Sequence, residues 1–275
     1  MQLGLDVAQQ RGASTIFSVR PLERHGFVFD SKRDFRDLIR MRYRRVIPNL
    51  PSTCACGKEF SLDHSQICKI GGFVLMRHDG PKNSFAYHAK QVFNDVEIEP
   101  ELQPLEGEPL EMKSANRQDD ARSDVRVKSF WSRQRNAFFE FRVFYPFAAS
   151  WRKKCKTLSR MYSIIESARK AEYEQRIREV ESSDFTPMIF SSCGGMGPQA
   201  TIALKRLAEN LAEKRKEPYS LVVAMLRCKL SFEIARAALV CLRGSRSLSK
   251  RRETTHSGDA PEVILAEAGL SHGHT

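Results

Sequence analysis

Two short stretches alternate between apolar and polar residues with a period of two, and they limit what this chain can become. In the first, Val125 and Val127 alternate with Arg126 and Lys128; in the second, Phe139, Phe141 and Val143 alternate with Glu140 and Arg142. That period belongs to half-buried β-strands, whose successive side chains point to opposite faces. Glu140 and Arg142 must then share a face, and Asp124, in Arg122-Ser123-Asp124, opens the first strand. Strands set between long helical patterns predict an α/β (α+β) fold, a central mixed sheet flanked by helices.

Around these strands the pattern changes several times. Phe35, Leu38, Ile39 and Tyr43 recur at helical spacing among arginines and predict a basic amphipathic helix over about 31–45, stopped by Pro48 and Pro51. Next come Cys54-Ala55-Cys56-Gly57, Asp63-His64, Cys68 and a turn at Gly71-Gly72. Phe85, His88, Ala89, Val92 and Phe93 predict a short helix, with Gly80-Pro81 interrupting the region before it. Residues 96–105, bounded by Pro100 and Pro104, predict an extended segment, and polar residues 106–120 a loop. One long charged helix is expected from Ser150 to Glu181, then an apolar strand over 186–192, a glycine turn at 193–197, and helices at about 198–216 and 218–243. The expected units are a basic N-terminal helical segment (1–50), a Cys-Cys-His-Cys knuckle (51–80), the sheet-bearing core (81–197), C-terminal helices (198–244) and a disordered basic tail (245–275).

Composition narrows the classes further. A chain of 275 residues with 41% hydrophobic content can bury one good core and a small appended module. No apolar run reaches the roughly 18 residues needed to span a bilayer, and Met1 to Gln10 lacks the order of a signal peptide, so an intracellular protein without membrane partners is expected. A net charge of +12 favours a polyanion, DNA or RNA, because phosphate contacts by Lys and Arg release counterions. The plainer alternative is a solvated basic surface. Seven cysteines, an odd number scattered along the chain, argue against a disulfide framework.

Two groups of residues carry chemistry. Cys54, Cys56, His64 and Cys68 supply thiolates and an imidazole within fifteen residues, as a structural zinc requires, with every position filled by protein. The single residue between Cys54 and Cys56 makes a tight chelate loop, which Gly57 and Pro51 ease. Small buried cysteines and a surface histidine are the alternative. Lys58, Lys69 and Arg77 lie around the cluster, where they could meet phosphates. Asp124 and Glu140, on adjacent strands, can hold one Mg²⁺, which keeps waters and takes further oxygens from a substrate phosphate. They could equally be polar strand residues, with Glu140 paired to Arg142 or Arg126. Arg142 can stabilise charge but cannot act as a base. Cys193-Gly194-Gly195-Met196-Gly197 lacks the Gly-Lys-Ser/Thr of a phosphate loop and reads as a strand-to-helix turn. Cys155, Cys228 and Cys241 read as small buried residues.

The order helix, strand, strand, strand, helix, strand, helix resembles the restriction-endonuclease-like (PD-(D/E)XK) core, whose signature is an Asp on the second strand and acidic-x-Lys on the third. Asp124 and Glu140 match it, with Arg142 in the Lys position. More closely, the chain resembles the C-terminal region of site-specific non-LTR retrotransposon polyproteins, where a zinc knuckle precedes such an endonuclease. Cys54, Cys56, His64, Cys68, Arg77-His78, Arg122-Ser123-Asp124, Glu140-Phe141-Arg142, and Lys170 with Tyr173 carry the likeness, over about 21–246. Gly71-Gly72-Phe73, Phe185-Thr186-Pro187 and Leu242-Arg243-Gly244-Ser245-Arg246 are similar to segments of animal proteins thought to descend from retroelements.

The resemblance implies a Mg²⁺-dependent DNA endonuclease, without a small-molecule cofactor, acting in the nucleus; Lys250-Arg251-Arg252 fits that location. It places Lys170 and Tyr173 near the metal, although Lys170 also reads as a solvated helix lysine and Tyr173 as part of an apolar stripe. It sets Arg77, His78 and Arg122 on the phosphate backbone; Arg77-His78 could instead cap the helix beginning near Asn83. A nucleic-acid-binding module that has lost catalysis is the alternative function, with a protein interaction module fitting the charge least.

Overall fold

Successive side chains of the strands point to opposite faces, and both faces are covered by helices. The computed structural model describes residues 2–10, 15–18, 31–103 and 122–246. The expectations placed on the end of the 96–105 segment, the 106–120 loop and residues 247–275, Lys250-Arg251-Arg252 among them, lie outside these residues. The chain begins with α1 (Gln2–Gln9), α2 (Thr15–Ser18), α3 (Lys32–Arg42) and α4 (Leu62–Ile67), followed by α5 (Phe73–Lys90). The strands β1 (Val96–Ile98), β2 (Val125–Lys128) and β3 (Asn136–Phe144) come next, then α6 (Ala149–Lys154), α7 (Leu158–Glu179), β4 (Asp184–Ser191), α8 (Pro198–Arg215) and α9 (Tyr219–Arg243). The sheet runs β1-β2-β3-β4, antiparallel except for the parallel pair β3 and β4, which the α6–α7 crossover connects.

Val125, Val127, Ala137, Phe139, Phe141 and Val143 point into one apolar cluster with Phe85 and Ala89 of α5 and with apolar residues of α8 and α9. The residues at 198–244 therefore complete the core of the sheet. On the opposite face Phe138 is buried against Ile177 and Leu102, with Tyr173 and Phe185 beside it. Burial of Phe138 departs from a half-exposed strand because α7 lies over that face. Among the described residues no helix is long and apolar enough to cross a membrane.

Three boundaries differ from the expected ones. Helix α5 runs for 18 residues straight through Pro81. A proline inside a helix removes one hydrogen bond, and here Phe73, Arg77, Phe85, Ala86 and Ala89, all buried along α5, hold the helix in place. α9 passes beside this turn, with Glu233 Cβ 3.7 Å from where a Cβ on Gly80 would stand, an ordinary packing distance. The expected helix from Ser150 to Glu181 is two helices, because Cys155 and Thr157 adopt extended backbone between α6 and α7. The tail also begins later than expected. Arg246 lies over the rings of Phe60 and Phe73, at 5.1 and 5.0 Å, and donates to Ser65 O at 3.2 Å.

Candidate active site and metal centre

The cysteine and histidine cluster is built by a hairpin and a short helix. Thr53 pairs with Glu59, Cys54 N donates to Lys58 O (2.9 Å) and Gly57 N to Cys54 O (2.8 Å). Gly57 turns the chain at φ +81°, a left-handed conformation that suits glycine, so the tight Cys-x-Cys spacing sets both thiols on one side. Ser61 caps α4 by accepting from His64 N at 3.1 Å, and Cys68 closes the same helix. The ligand atoms of Cys54, Cys56, His64 and Cys68 all lie within 4.8 Å of one another. Cys54 Sγ and Cys68 Sγ are 3.8 Å apart, and Cys56 Sγ is 3.3 Å from His64 Nε2.

A disulfide needs sulfurs about 2 Å apart. A Zn–S bond of about 2.3 Å instead sets tetrahedral sulfurs about 3.8 Å apart. The donor set fits a metal such as zinc. Burial, with the charges of Arg246 and Lys58, pulls the His64 pKa down and keeps its imidazole neutral. A hydrogen bond from the Lys58 backbone lowers the thiol pKa of Cys56, while burial raises that of Cys68.

The second site forms where α5, β2, β3 and α7 converge. Val125 pairs with Phe139, so one step further along the register Asp124 stands opposite Glu140. Asp124 Oδ2 accepts from Phe141 N at 2.5 Å and lies 3.1 Å from His78 Nε2, while His78 Nδ1 lies 3.1 Å from Asp79 Oδ1. Burial opposes charge on His78, but the bonds to Asp124 and Asp79 outweigh it and push its pKa up to about 9. Burial and the neighbouring charge of Asp124 push Glu140 up to about 8. Lys82, almost fully buried, reaches Glu99 Oε1 at 2.6 Å and Asp79 Oδ1 at 3.1 Å.

Other expected residues fall in varied places. Arg77 is buried and donates to Gln66 O at 3.0 Å and Gln66 Oε1 at 3.2 Å, so its guanidinium is directed at the last turn of α4, and no helix begins near Asn83 for it to cap. It instead ties α5 to α4, whose Gln66 Nε2 donates to Ala238 O of α9 at 3.0 Å. Arg122 is exposed and 3.3 Å from Glu101. Arg142 is exposed on the face of Glu140, and Lys58 and Lys69 are also exposed. Arg126 bonds Asp95 and Glu97 at 3.0 and 2.9 Å. On α7, Lys170 acts on Glu166 while its neighbour Arg169 acts on Glu140.

Tyr173 lies against Phe185, with ring centroids 5.8 Å apart. Burial and then the charge of Glu140 push its pKa up to about 12. Sequence reasoning missed Arg169 because one residue of helical phase, about 100°, separates it from Lys170. It missed Asp79 and Lys82 too, although their spacing from His78 on one helix was a usable signal. The Cys193–Gly197 segment is the expected turn from β4 to α8. A Cβ on Gly195 would collide with Gln10, and one on Gly197 would come within 2.7 Å of Glu166 Oε1, so side chains fill the space a phosphate would need.

Comparison with family models and with curated proteins finds no match.

The two shifted groups fix a pH dependence. Bound more tightly in its charged form when folded, His78 contributes stability that is complete below its ordinary value of 6.5 and lost as pH rises through about 9. Glu140 resists ionisation in the folded state, so it counts increasingly against folding as pH rises from 4.5 towards about 8. Both slopes have one sign. The lowered pKa values of His64 and His88 act in the opposite sense below 6.5, so the sign is read as a difference: relative to Glu140→Gln, the wild type should lose Tm as pH rises from about 5 to about 8. A difference that grows in favour of the wild type over that window would contradict the assignment.

Proposed function

We propose that this chain is a Mg²⁺-dependent DNA endonuclease of retrotransposon descent, with a restriction-endonuclease-like core and a structural zinc knuckle, acting in the nucleus. The reading is carried by Asp124 and Glu140, which face each other across β2 and β3 where His78, Arg169 and Tyr173 converge. Asp124 Oδ2 is held by Phe141 N and His78, and Oδ1 is the oxygen that would take a cation shared with Glu140. Mg²⁺, when bound, polarises a phosphoryl oxygen and lowers the pKa of a coordinated water. Arg142, exposed beside Glu140, and Arg169 can stabilise the charge that develops on phosphorus. The positive charge favours nucleic acid as substrate, with Lys32, Arg33, Arg36, Arg45, Lys58 and Lys69 all exposed.

A second reading, nucleic-acid binding without cleavage, is favoured by Arg142, which stands where the resembling nucleases carry Lys and is too basic to accept a proton. Supercoiled plasmid incubated with Mg²⁺ or Mn²⁺ separates the two. Wild type should nick or linearise it, and the double variant Asp124→Ala, Glu140→Ala should lose about a hundredfold or more of that rate. Cleavage indistinguishable between the two proteins would refute the nuclease assignment. Salt-sensitive binding by both without cleavage would establish the second reading.

A further inference from the structure

Lys82 lies within α5 with only 4% of its side chain exposed. A buried ammonium is tolerated where carboxylates pair with it, and Lys82 Nζ has two, Glu99 Oε1 at 2.6 Å and Asp79 Oδ1 at 3.1 Å. Neither contact ends there. Asp79 Oδ1 also accepts from His78 Nδ1, and His78 Nε2 donates to Asp124 Oδ2, each at 3.1 Å. Glu99 N donates to the Asp124 carbonyl at 2.8 Å. Lys82, Asp79, His78, Asp124 and Glu99 therefore form a closed ring. It ties α5 to Asp124 twice, at the side chain through His78 and at the backbone through Glu99. Within the ring Glu99 takes φ +56°, an uncommon conformation for a residue other than glycine.

The ring restricts how Asp124 can meet a cation. Its Oδ2 already accepts from two donors, His78 Nε2 and, at 2.5 Å, Phe141 N. Each oxygen of an ionised carboxylate has two acceptor sites, so Oδ2 is fully engaged and Asp124 can offer a cation only Oδ1. Mg²⁺ demands near-octahedral geometry and needs single oxygens from one or two carboxylates, keeping waters for the rest. The larger Ca²⁺ takes more ligands and often both oxygens of one carboxylate.

We propose that Lys82 and Asp79 are positioning residues that, by way of His78, hold Asp124 to one free oxygen and so select Mg²⁺ against Ca²⁺ at the carboxylate pair. The inference rests on the metal-dependent reading above. Neither residue touches the cation; each acts on Asp124 through the imidazole. Breaking the ring frees Oδ2, lets the carboxylate turn about its Cβ–Cγ bond and admits Ca²⁺ through both oxygens.

Cation binding to the full chain tests this without any reaction. The paramagnetic resonance of free Mn²⁺ is followed while Mg²⁺ or Ca²⁺ displaces bound Mn²⁺, which gives the ratio of Ca²⁺ to Mg²⁺ dissociation constants. A variant that merely folds less well leaves this ratio alone, because both constants scale together. Asp79→Ala, at a side chain 48% exposed, breaks the ring with little loss of buried packing and should lower the ratio about tenfold, the usual size for losing an outer partner of a metal ligand. Lys82→Met should lower it similarly. Asp79→Asn removes the same charge but keeps an acceptor for His78 Nδ1, so it should retain the wild-type ratio. A ratio in Asp79→Ala equal to wild type would overturn the proposal, while Mn²⁺ binding that the Asp124→Ala, Glu140→Ala double variant loses would leave the carboxylate site standing. An equal fall in Asp79→Asn and Asp79→Ala would overturn it as well, since charge and not position would then set the choice. Mn²⁺ binding by wild type no tighter than by the double variant would overturn both the proposal and the metal-dependent reading.

Discussion

Arg243→Ala is expected to lower the stability of the protein by about 3–5 kcal/mol, because it strands a buried charge. Asp37 on α3 is fully buried, and Arg243 Nε donates to its Oδ2 at 2.8 Å. The same guanidinium donates through Nη1 to Asn49 O at 2.7 Å and through Nη2 to Pro48 O at 3.0 Å. One side chain thus fastens the basic helix and the turn after it to the last turn of α9. Asp37 Oδ1 has no hydrogen-bond partner among the described residues and only the longer ion pair with Arg40 Nη1 at 3.8 Å, so removing Arg243 leaves the carboxylate without its principal donor.

Arg243→Lys should recover only part of the loss, since an ammonium cannot make the three-way fork. Asp37→Leu combined with Arg243→Met should recover most of it, because replacing both members by apolar groups removes the desolvation cost along with the attraction. Urea denaturation with comparison of midpoint and slope measures each variant. A single variant within about 0.5 kcal/mol of wild type would show that the clamp contributes little.

Metal removal should open the segment 53–68 while the sheet stays folded. Its own apolar cluster is Cys54, Phe60 and Cys68, with Leu50, Cys56 and Ile70 packed alongside, far too little to hold a hairpin and one short helix. In isolated zinc-finger peptides the bound ion supplies about 10–16 kcal/mol. The cluster of Val125, Phe139, Phe141 and Leu207 contains no member of this segment and keeps its own packing, while buried Arg77 loses its acceptors on Gln66, so global stability falls without the sheet coming apart. Purified without chelator, the protein should carry one zinc per chain. Chelation, or Cys68→Ser, should raise amide exchange over 53–68 and loosen the contact of Arg246 with Phe60. Zinc well below one per chain, or protection unchanged by chelation, would reject the structural role.

The alternations at 125–128 and 139–143 were legible as strands, since only one backbone conformation makes a period of two. The helices at the C-terminal end and the four ligands of the metal cluster were legible for similar reasons, because spacing within a short segment survives in any fold that keeps it local. Helix α5 was misread at Gly80-Pro81, as local propensity argued for a break and burial against the core overrode it. Arg77 looked like a phosphate ligand, yet its partner Gln66 becomes visible only when α4 is laid against α5. Lys170 and Arg169 differ by one position, and nothing local shows which of them faces β3.

The segments Gly71-Gly72-Phe73 and Leu242-Arg243-Gly244-Ser245-Arg246, far apart in the chain, meet in the fold. A Cβ on Gly244 would stand 2.6 Å from Phe73 Cζ, and Arg246 covers the Phe73 ring beside Gly71. Sequence by itself determined the strands, the ligand spacing and the basic charge, because periodicity, chelate geometry and composition are local or additive properties. Tertiary structure alone decided that Asp124 faces Glu140 with His78 against it, that Arg77 is buried, and that Arg243 closes on Asp37. Each of these joins residues far apart in the chain, and their pairing is set by how the helices pack on the sheet, which no local pattern encodes.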